Sequence, residues 1–333
     1  MTWAMTFSKD VLSFDRTAEV DRIAEWFKAS VKGTLKKRGV VIGLSGGIDS
    51  SVCAALAVKA LGADKVFGVF MPEHHSADES LELGTLLARS LGIEAITENI
   101  AGALEGAGCY ARQEEAIRAV FPEYGKGWKS KITLPSLIES DRLNVFQLTV
   151  QSPSGEMKTA RMPLPSYLQL VAATNYKQRV RKMCEYYHAD RLNYAVVGTP
   201  NRLEYDQGFF VKQGDGTADI KPIAHLYKTQ VYALAETLGV PAEIRRRPPT
   251  TDTYSLPQTQ EEFYFALPYD RMDLCLYGVN HAIPAAEVAA TIGLTAEQVE
   301  RVYKDIASKR RATRYGHLPP LLIEPIFHES HQM

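Results

Sequence analysis

Apolar residues recur along the first two thirds of the chain in two alternating rhythms. Short runs rich in β-branched residues at 39–44, 65–70, 93–98 and 192–197 predict buried strands. Longer stretches with apolar residues at helical spacing predict helices over 15–36, 49–61, 78–91, 167–188 and 228–238. Strand and helix in alternation point to an open parallel sheet covered by helices on both faces. The pattern blurs over 101–165, where Pro122, Gly125, Gly127 and Pro135 interrupt it. We expect an insertion there that decorates the core or serves assembly, with a hairpin over 142–158 turning at Pro153-Ser154-Gly155. Residues 279–333 read as a helical tail, with Thr295 and Gln298 spaced as a capping box. The expected organisation is one domain over 1–333 carrying that insertion and tail.

Composition narrows the function classes. A chain of 333 residues with 45% hydrophobic and 23% charged residues is ordinary for a globular enzyme-sized domain. A formal charge of −1 gives no reason to expect nucleic acid or a membrane surface as partner, so an anionic substrate needs a local basic site. No segment approaches the roughly 20 uninterrupted apolar residues of a membrane span, and residues 1–10 lack a signal-peptide pattern; a cytoplasmic location is expected. Cys53, Cys109, Cys184 and Cys275 form no CxxC pair and read as reduced thiols.

The most informative residues are Ser45-Gly46-Gly47-Ile48-Asp49-Ser50-Ser51, between a buried strand and a helix. Adjacent glycines let backbone N–H groups close on an oxyanion, and the following helix turns its positive end to the same place. Ser45, Ser50 and Ser51 add hydroxyl donors. Asp49 fits beside phosphate once it holds a divalent cation. Neither GxxxxGK[ST] nor GxGxxG is present. A tight turn using glycine for shape alone is the competing reading.

This string resembles the pyrophosphate loop of the N-type ATP pyrophosphatases, which cleave ATP between the α and β phosphates and activate a carbonyl or carboxylate as its adenylate. Further motifs sharpen the likeness. Gly198-Thr199-Pro200-Asn201-Arg202-Leu203-Glu204 is followed by Gly208-Phe209-Phe210-Val211-Lys212-Gln213-Gly214-Asp215-Gly216-Thr217-Ala218-Asp219, then by Leu226-Tyr227-Lys228. Upstream lies the helical run Asn175-Tyr176-Lys177-Gln178-Arg179-Val180-Arg181. In this order they resemble the ammonia-dependent NAD synthetases over about 15–278. Without the family, the pairs Asn175/Arg179 and Lys177/Arg181 each share a helix face, which suits either grip on phosphate or plain solvation. Glu204 alone would read as a surface carboxylate.

The resemblance implies a Rossmann-like three-layer α/β fold. It implies ATP or pyrophosphate contacts from Gly43, Ser45, Gly46, Gly47, Asp49, Ser50, Ser51, Met71, Thr199, Lys228 and Thr250, the last in a loop resembling Pro-Thr-Ala-Asp. Asp49 and Glu204 would hold Mg²⁺, and Asn175, Arg179, Phe209, Lys212, Asp215 and Asp219 would hold deamido-NAD. No catalytic residue beyond the phosphate and metal ligands is implied. The expected enzyme is a carbon–nitrogen ligase that adenylates deamido-NAD and transfers ammonia, as a homodimer, with a separate glutaminase as a possible ammonia source. Three departures touch the acceptor end: the length of 101–165, Val171 where an aromatic often stacks on the pyridine ring, and Glu261-Glu262-Phe263-Tyr264-Phe265 in place of Glu-Leu-Gly. They leave a related ligase with another carboxylate acceptor as the alternative.

Overall fold

Seven strands are formed: β1 (Val40–Gly43), β2 (Val66–Phe70), β3 (Glu94–Thr97), β4 (Lys129–Thr133), β5 (Gln147–Gln151), β6 (Met157–Arg161) and β7 (Ala195–Val196). The computed structural model describes residues 7–133, 147–249, 254–260, 264, 265 and 267–326, and the count refers to these. Thr250, the start of the expected hairpin at 142–146, residues 261–263 and the end of the tail lie outside them.

β3, β2, β1 and β7 make a parallel sheet in that order, with Val41 opposite Phe67 on one side and Val196 on the other. Side chains alternate across it. Val40, Ile42, Val66 and Phe70 pack with Phe27, Leu56, Leu87 and Val231 from helices Arg16–Lys28, Ile48–Leu61, Asp78–Leu91 and Lys228–Thr237. Val41, Phe67, Val69 and Val196 pack on the opposite face against Ala189 of helix Leu164–Leu192. The expected three-layer sandwich is present. Each fully buried Leu or Phe contributes about 2 kcal/mol, and Leu56→Ala would open a cavity in the middle of it.

Two boundaries differ from the sequence expectation, and each has a local cause. The long helix begins at Leu164 because Pro165 sits in its first turn, where the missing N–H is not needed. It ends at Asn193, which takes the left-handed conformation (φ 54°), so the following strand shrinks to Ala195–Val196. A bridge from Val197 to Ile220 continues the sheet.

The insertion has its own core. Helices Ala101–Gly106 and Cys109–Arg118 precede an antiparallel sheet of order β4-β5-β6, and Phe121, Ile132, Leu148 and Val150 pack with Leu170 of the long helix. The β5–β6 hairpin turns at Gly155 (φ 91°), as the sequence implied. In the tail, helices Tyr269–Asn280, Ala285–Ile292 and Ala296–His317 bury Cys275, Val288, Val302 and Ile306 against Leu203. The Thr295 capping box is formed, with Gln298 N–H donating to Thr295 Oγ1 at 3.2 Å. All four cysteines are free thiols.

Candidate active site

From β1 the chain passes out to β2 and β3 on one side and returns to β7 on the other. The order therefore reverses at β1, where open α/β sheets form a ligand crevice. A cleft of about 310 Å³ opens there. Its walls include Gly43 at the end of β1, Ser45 and Gly47 from the loop after it, Asp49 and Ser50 from the first turn of helix Ile48–Leu61, Met71 after β2, Thr199 after β7, and Glu204, Phe209 and Asp215. Those ten positions were all singled out from the sequence.

The loop glycines have separate tasks. Gly46 has φ 70°, and a Cβ there would lie 2.5 Å from the Ser80 carbonyl oxygen. Gly47 caps helix Ile48–Leu61 without a side-chain acceptor, which leaves the first-turn N–H groups turned to the cleft. Ser45 and Ser50 hydroxyls lie 3.1 Å apart on the cleft wall. Ser51 is fully buried and donates to the Gly47 carbonyl at 2.8 Å, so its hydroxyl braces the turn from behind. Gly46 likewise shapes the loop from outside the wall.

Charge is concentrated at Asp49. Its Oδ2 accepts from Lys228 Nζ, and its Oδ1 accepts from Asn201 Nδ2 at 3.0 Å. Asn201 and Glu204 close a capping box on helix Arg202–Gln207. Burial, then the Asp49 carboxylate, push the Glu204 carboxyl up to about 8. Burial works against the Lys228 ammonium, but Asp49 and Glu204 together hold it above the ordinary lysine range. Lys228 is fully buried beneath Asp49 rather than in the cleft wall. Asp273 fixes it: the carboxylate accepts the N–H groups of Lys228 (3.2 Å) and Thr229 (2.8 Å) and the Thr229 hydroxyl (2.7 Å). Burial pushes Asp273 up to about 6.

The other residues implied by the resemblance divide in two. Arg179 is exposed and donates to the Lys212 carbonyl at 3.3 Å, while Lys212 Nζ donates to the Tyr315 and Leu318 carbonyls at the end of the tail helix. Asp219 accepts the Val196 N–H at 2.7 Å and the Tyr186 hydroxyl at 3.3 Å. With Asn175, these lie outside the cleft wall. Phe209 lines the cleft but is stacked on Tyr264 (centroids 4.6 Å, 26°), part of the stretch that departs from the family pattern. Lys177 does not share a solvated face with Arg181; it is fully buried in an ion pair with Glu73 at 3.0 Å.

Several cleft residues were not assigned to the site from the sequence, although Arg181 was named there on a basic helix face. The long helix presents Gln178, Arg181, Lys182 and Glu185, with Lys182 paired to Glu185 at 2.7 Å. Their spacing of i, i+3, i+4, i+7 is one helix face and was legible. Gln260 donates to Glu204 Oε1 at 3.1 Å, and Arg247 donates to Ser80 Oγ at 3.0 Å. No local pattern marks these last two, because both arrive through tertiary folding.

The chain matches the NAD synthase family over residues 19–121 and 133–314. An NH3-dependent NAD⁺ synthetase of Mesorhizobium japonicum is 64% identical over 312 residues, 94% of this chain and 98% of that one. The solved NMN synthetase of Francisella tularensis matches at TM-score 0.62 and 25% identity, over 95% of this chain and 100% of that one. The NH3-dependent NAD synthetase of Campylobacter jejuni, solved with nitrate, shares the fold at TM-score 0.59 and 20% identity, over 93% and 100%. With a family match across most of its length and a relative this similar, the chain belongs to the NAD synthase family.

Proposed function

We propose that the chain amidates the nicotinate carboxylate of deamido-NAD, using ATP and ammonia and releasing AMP and pyrophosphate. The observation that carries this is the cluster of Asp49, Glu204 and Lys228 beside a glycine loop and a helix N-terminus. One lysine serves two carboxyl groups there, a deficit of cationic partners; burial, and after it the Asp49 carboxylate, push Glu204 up. A divalent cation fits that deficit. Among the described residues no set of three or more His, Cys, Asp or Glu forms a protein cage, which suits Mg²⁺ shared with substrate phosphates. Asp49 and Glu204 would hold it, and when bound it neutralises phosphate charge.

The protein's own part is positioning and screening. First-turn N–H groups of helix Ile48–Leu61 and the Ser45 and Ser50 hydroxyls receive the pyrophosphate of ATP, with Lys228 held behind Asp49. The substrate carboxylate attacks the α-phosphorus and pyrophosphate leaves; ammonia then attacks the acyl-adenylate and AMP leaves. Neither step needs a protein nucleophile. We further propose a cytoplasmic homodimer, with the acceptor held near Arg179 and Lys212. No helix among the described residues is long and apolar enough to cross a membrane. Leu164, Leu168, Met183 and Tyr187 are exposed on the long helix and suit a partner surface.

Purified protein with ATP, Mg²⁺ and ammonium should release AMP and pyrophosphate with deamido-NAD, and should fail with glutamine as sole nitrogen source. ADP and phosphate as products would sink the reading. The Tyr264 ring over Phe209 and a solved relative acting as an NMN synthetase keep a second acceptor in play. AMP release with the mononucleotide acid but not with deamido-NAD would transfer the assignment to it.

A further inference from the structure

A short segment runs from the insertion to the cleft. Residues 254–260 start at Tyr254, which is buried with Phe121, Ile132 and Leu170 in the insertion's core, and end at Gln260 on the cleft wall. Along the way they cover the outer edge of β4, which the sheet order leaves without a neighbouring strand. The Ser130 N–H donates to Ser255 Oγ at 2.8 Å, and the Leu256 N–H donates to the Ser130 carbonyl at 3.0 Å. The Gln258 amide donates to the Ile132 carbonyl. Ser130 and Ile132 are two apart on β4, so their backbone groups face one edge, and the segment satisfies that edge with one backbone N–H and two side chains.

At the far end, Gln260 is held at three points. Its N–H donates to the Pro249 carbonyl at 3.3 Å, its Oε1 accepts from Tyr269 Oη at 2.8 Å, and its Nε2 donates to Glu204 Oε1 at 3.1 Å. The other oxygen, Glu204 Oε2, accepts the Asn201 N–H at 3.0 Å. Both carboxylate oxygens are therefore oriented by one donor each, and each keeps a lone pair for a further partner. Glu204 sits on a six-residue helix, which by itself restrains a carboxylate poorly.

We propose that Gln260 is a positioning residue for Glu204 and that the insertion sets its place through β4 and residues 254–260. The insertion is then part of the machinery that orients the cation ligand. This rests on Glu204 being a Mg²⁺ ligand, as proposed above. Donors that orient a metal-binding carboxylate change metal affinity by about ten- to a hundredfold when removed.

Mn²⁺ with a non-hydrolysable ATP analogue reports binding without turnover, through its paramagnetic resonance signal. Gln260→Met keeps the shape and removes both amide bonds. It should weaken Mn²⁺ binding about tenfold and raise the Mg²⁺ needed for half-maximal turnover by the same factor. The KM for ammonium should stay within about twofold. Ser255→Ala, far from the cleft, should weaken Mn²⁺ binding about two- to threefold, and should add nothing to Gln260→Met because both act through one bond. Unchanged Mn²⁺ affinity in Gln260→Met overturns the proposal, as does full additivity of the two variants. If Gln260→Met does not fold, Ser255→Ala alone decides, and unchanged affinity there is the overturning result. Glu204→Gln distinguishes the underlying reading: unchanged Mn²⁺ affinity in that variant removes Glu204 as a ligand, whatever Gln260 does.

Discussion

Lys228 and Lys177 are both fully buried, and each is paired with a carboxylate, yet their surroundings assign them opposite work. Lys228 meets Asp49, which keeps 16% of its side chain exposed, with Glu204 close behind. Two carboxyl groups share one ammonium, so one of them is left without a cation of its own beside a cleft. Lys177 meets Glu73, whose side chain has no exposure, and the pair is closed off by the Tyr110 hydroxyl on Glu73 (2.9 Å) and by His75 Nδ1 at 2.8 Å from Lys177. Burial lowers the Lys177 ammonium in spite of Glu73, with Arg181 pulling the same way. A buried lysine–carboxylate pair is thus no sign of function by itself. What separates the two is a second carboxyl without a cationic partner and whether the cleft can reach it.

That contrast can be broken by experiment. The largest effect is expected at Asp49→Asn, which removes charge where the proposed phosphate and cation sites meet. Turnover per folded molecule should fall by about a thousandfold, with some loss of stability as well, because the buried Lys228 ammonium loses its paired carboxylate. Near-normal turnover at saturating Mg²⁺ would make the two pairs equivalent. Lys177→Met should act on stability instead, costing about 3 kcal/mol in urea unfolding because it strands the Glu73 charge. Turnover per folded molecule should stay within a few-fold, and adding Glu73→Leu should restore most of the loss. A hundredfold drop in turnover without a stability loss would show that the Lys177 pair serves chemistry.

The smallest effect sharpens the sealed side. Burial, then Lys177, hold His75 down to about 4 from an ordinary 6.5. Between those values the unfolded chain binds a proton that the folded chain refuses, so stability falls as pH drops through that window. The contribution is about 1 kcal/mol between pH 7 and 5.5, and His75→Asn should lose that much less over the same interval. Equal pH dependence in both proteins would place the acid-sensitive group elsewhere.

Apolar periodicity by itself determined the strand–helix alternation and the parallel sheet, because burial on two faces leaves a continuous apolar run in a strand and one-sided burial marks every third to fourth residue of a helix. The β5–β6 hairpin was legible from its turn residues instead. The loop at residues 45–51 was equally legible, since its glycines, hydroxyls and Asp49 are contiguous in the chain and shape one turn through local backbone geometry. Tertiary structure decided what depends on distant partners. Asp273 lies 45 residues from Lys228 and nothing in its neighbourhood marks it as the acceptor that caps that helix. Lys177 and Arg181 look alike in sequence, four apart in one basic run, yet one is sealed against Glu73, 104 residues away, and the other lines the cleft. Gln260 lies 56 residues from Glu204 and meets it through the fold, at the end of a segment that bonds to β4, more than a hundred residues earlier. Periodicity records which face of an element is buried; it carries no record of which polar groups meet there, because that is settled by how the elements pack.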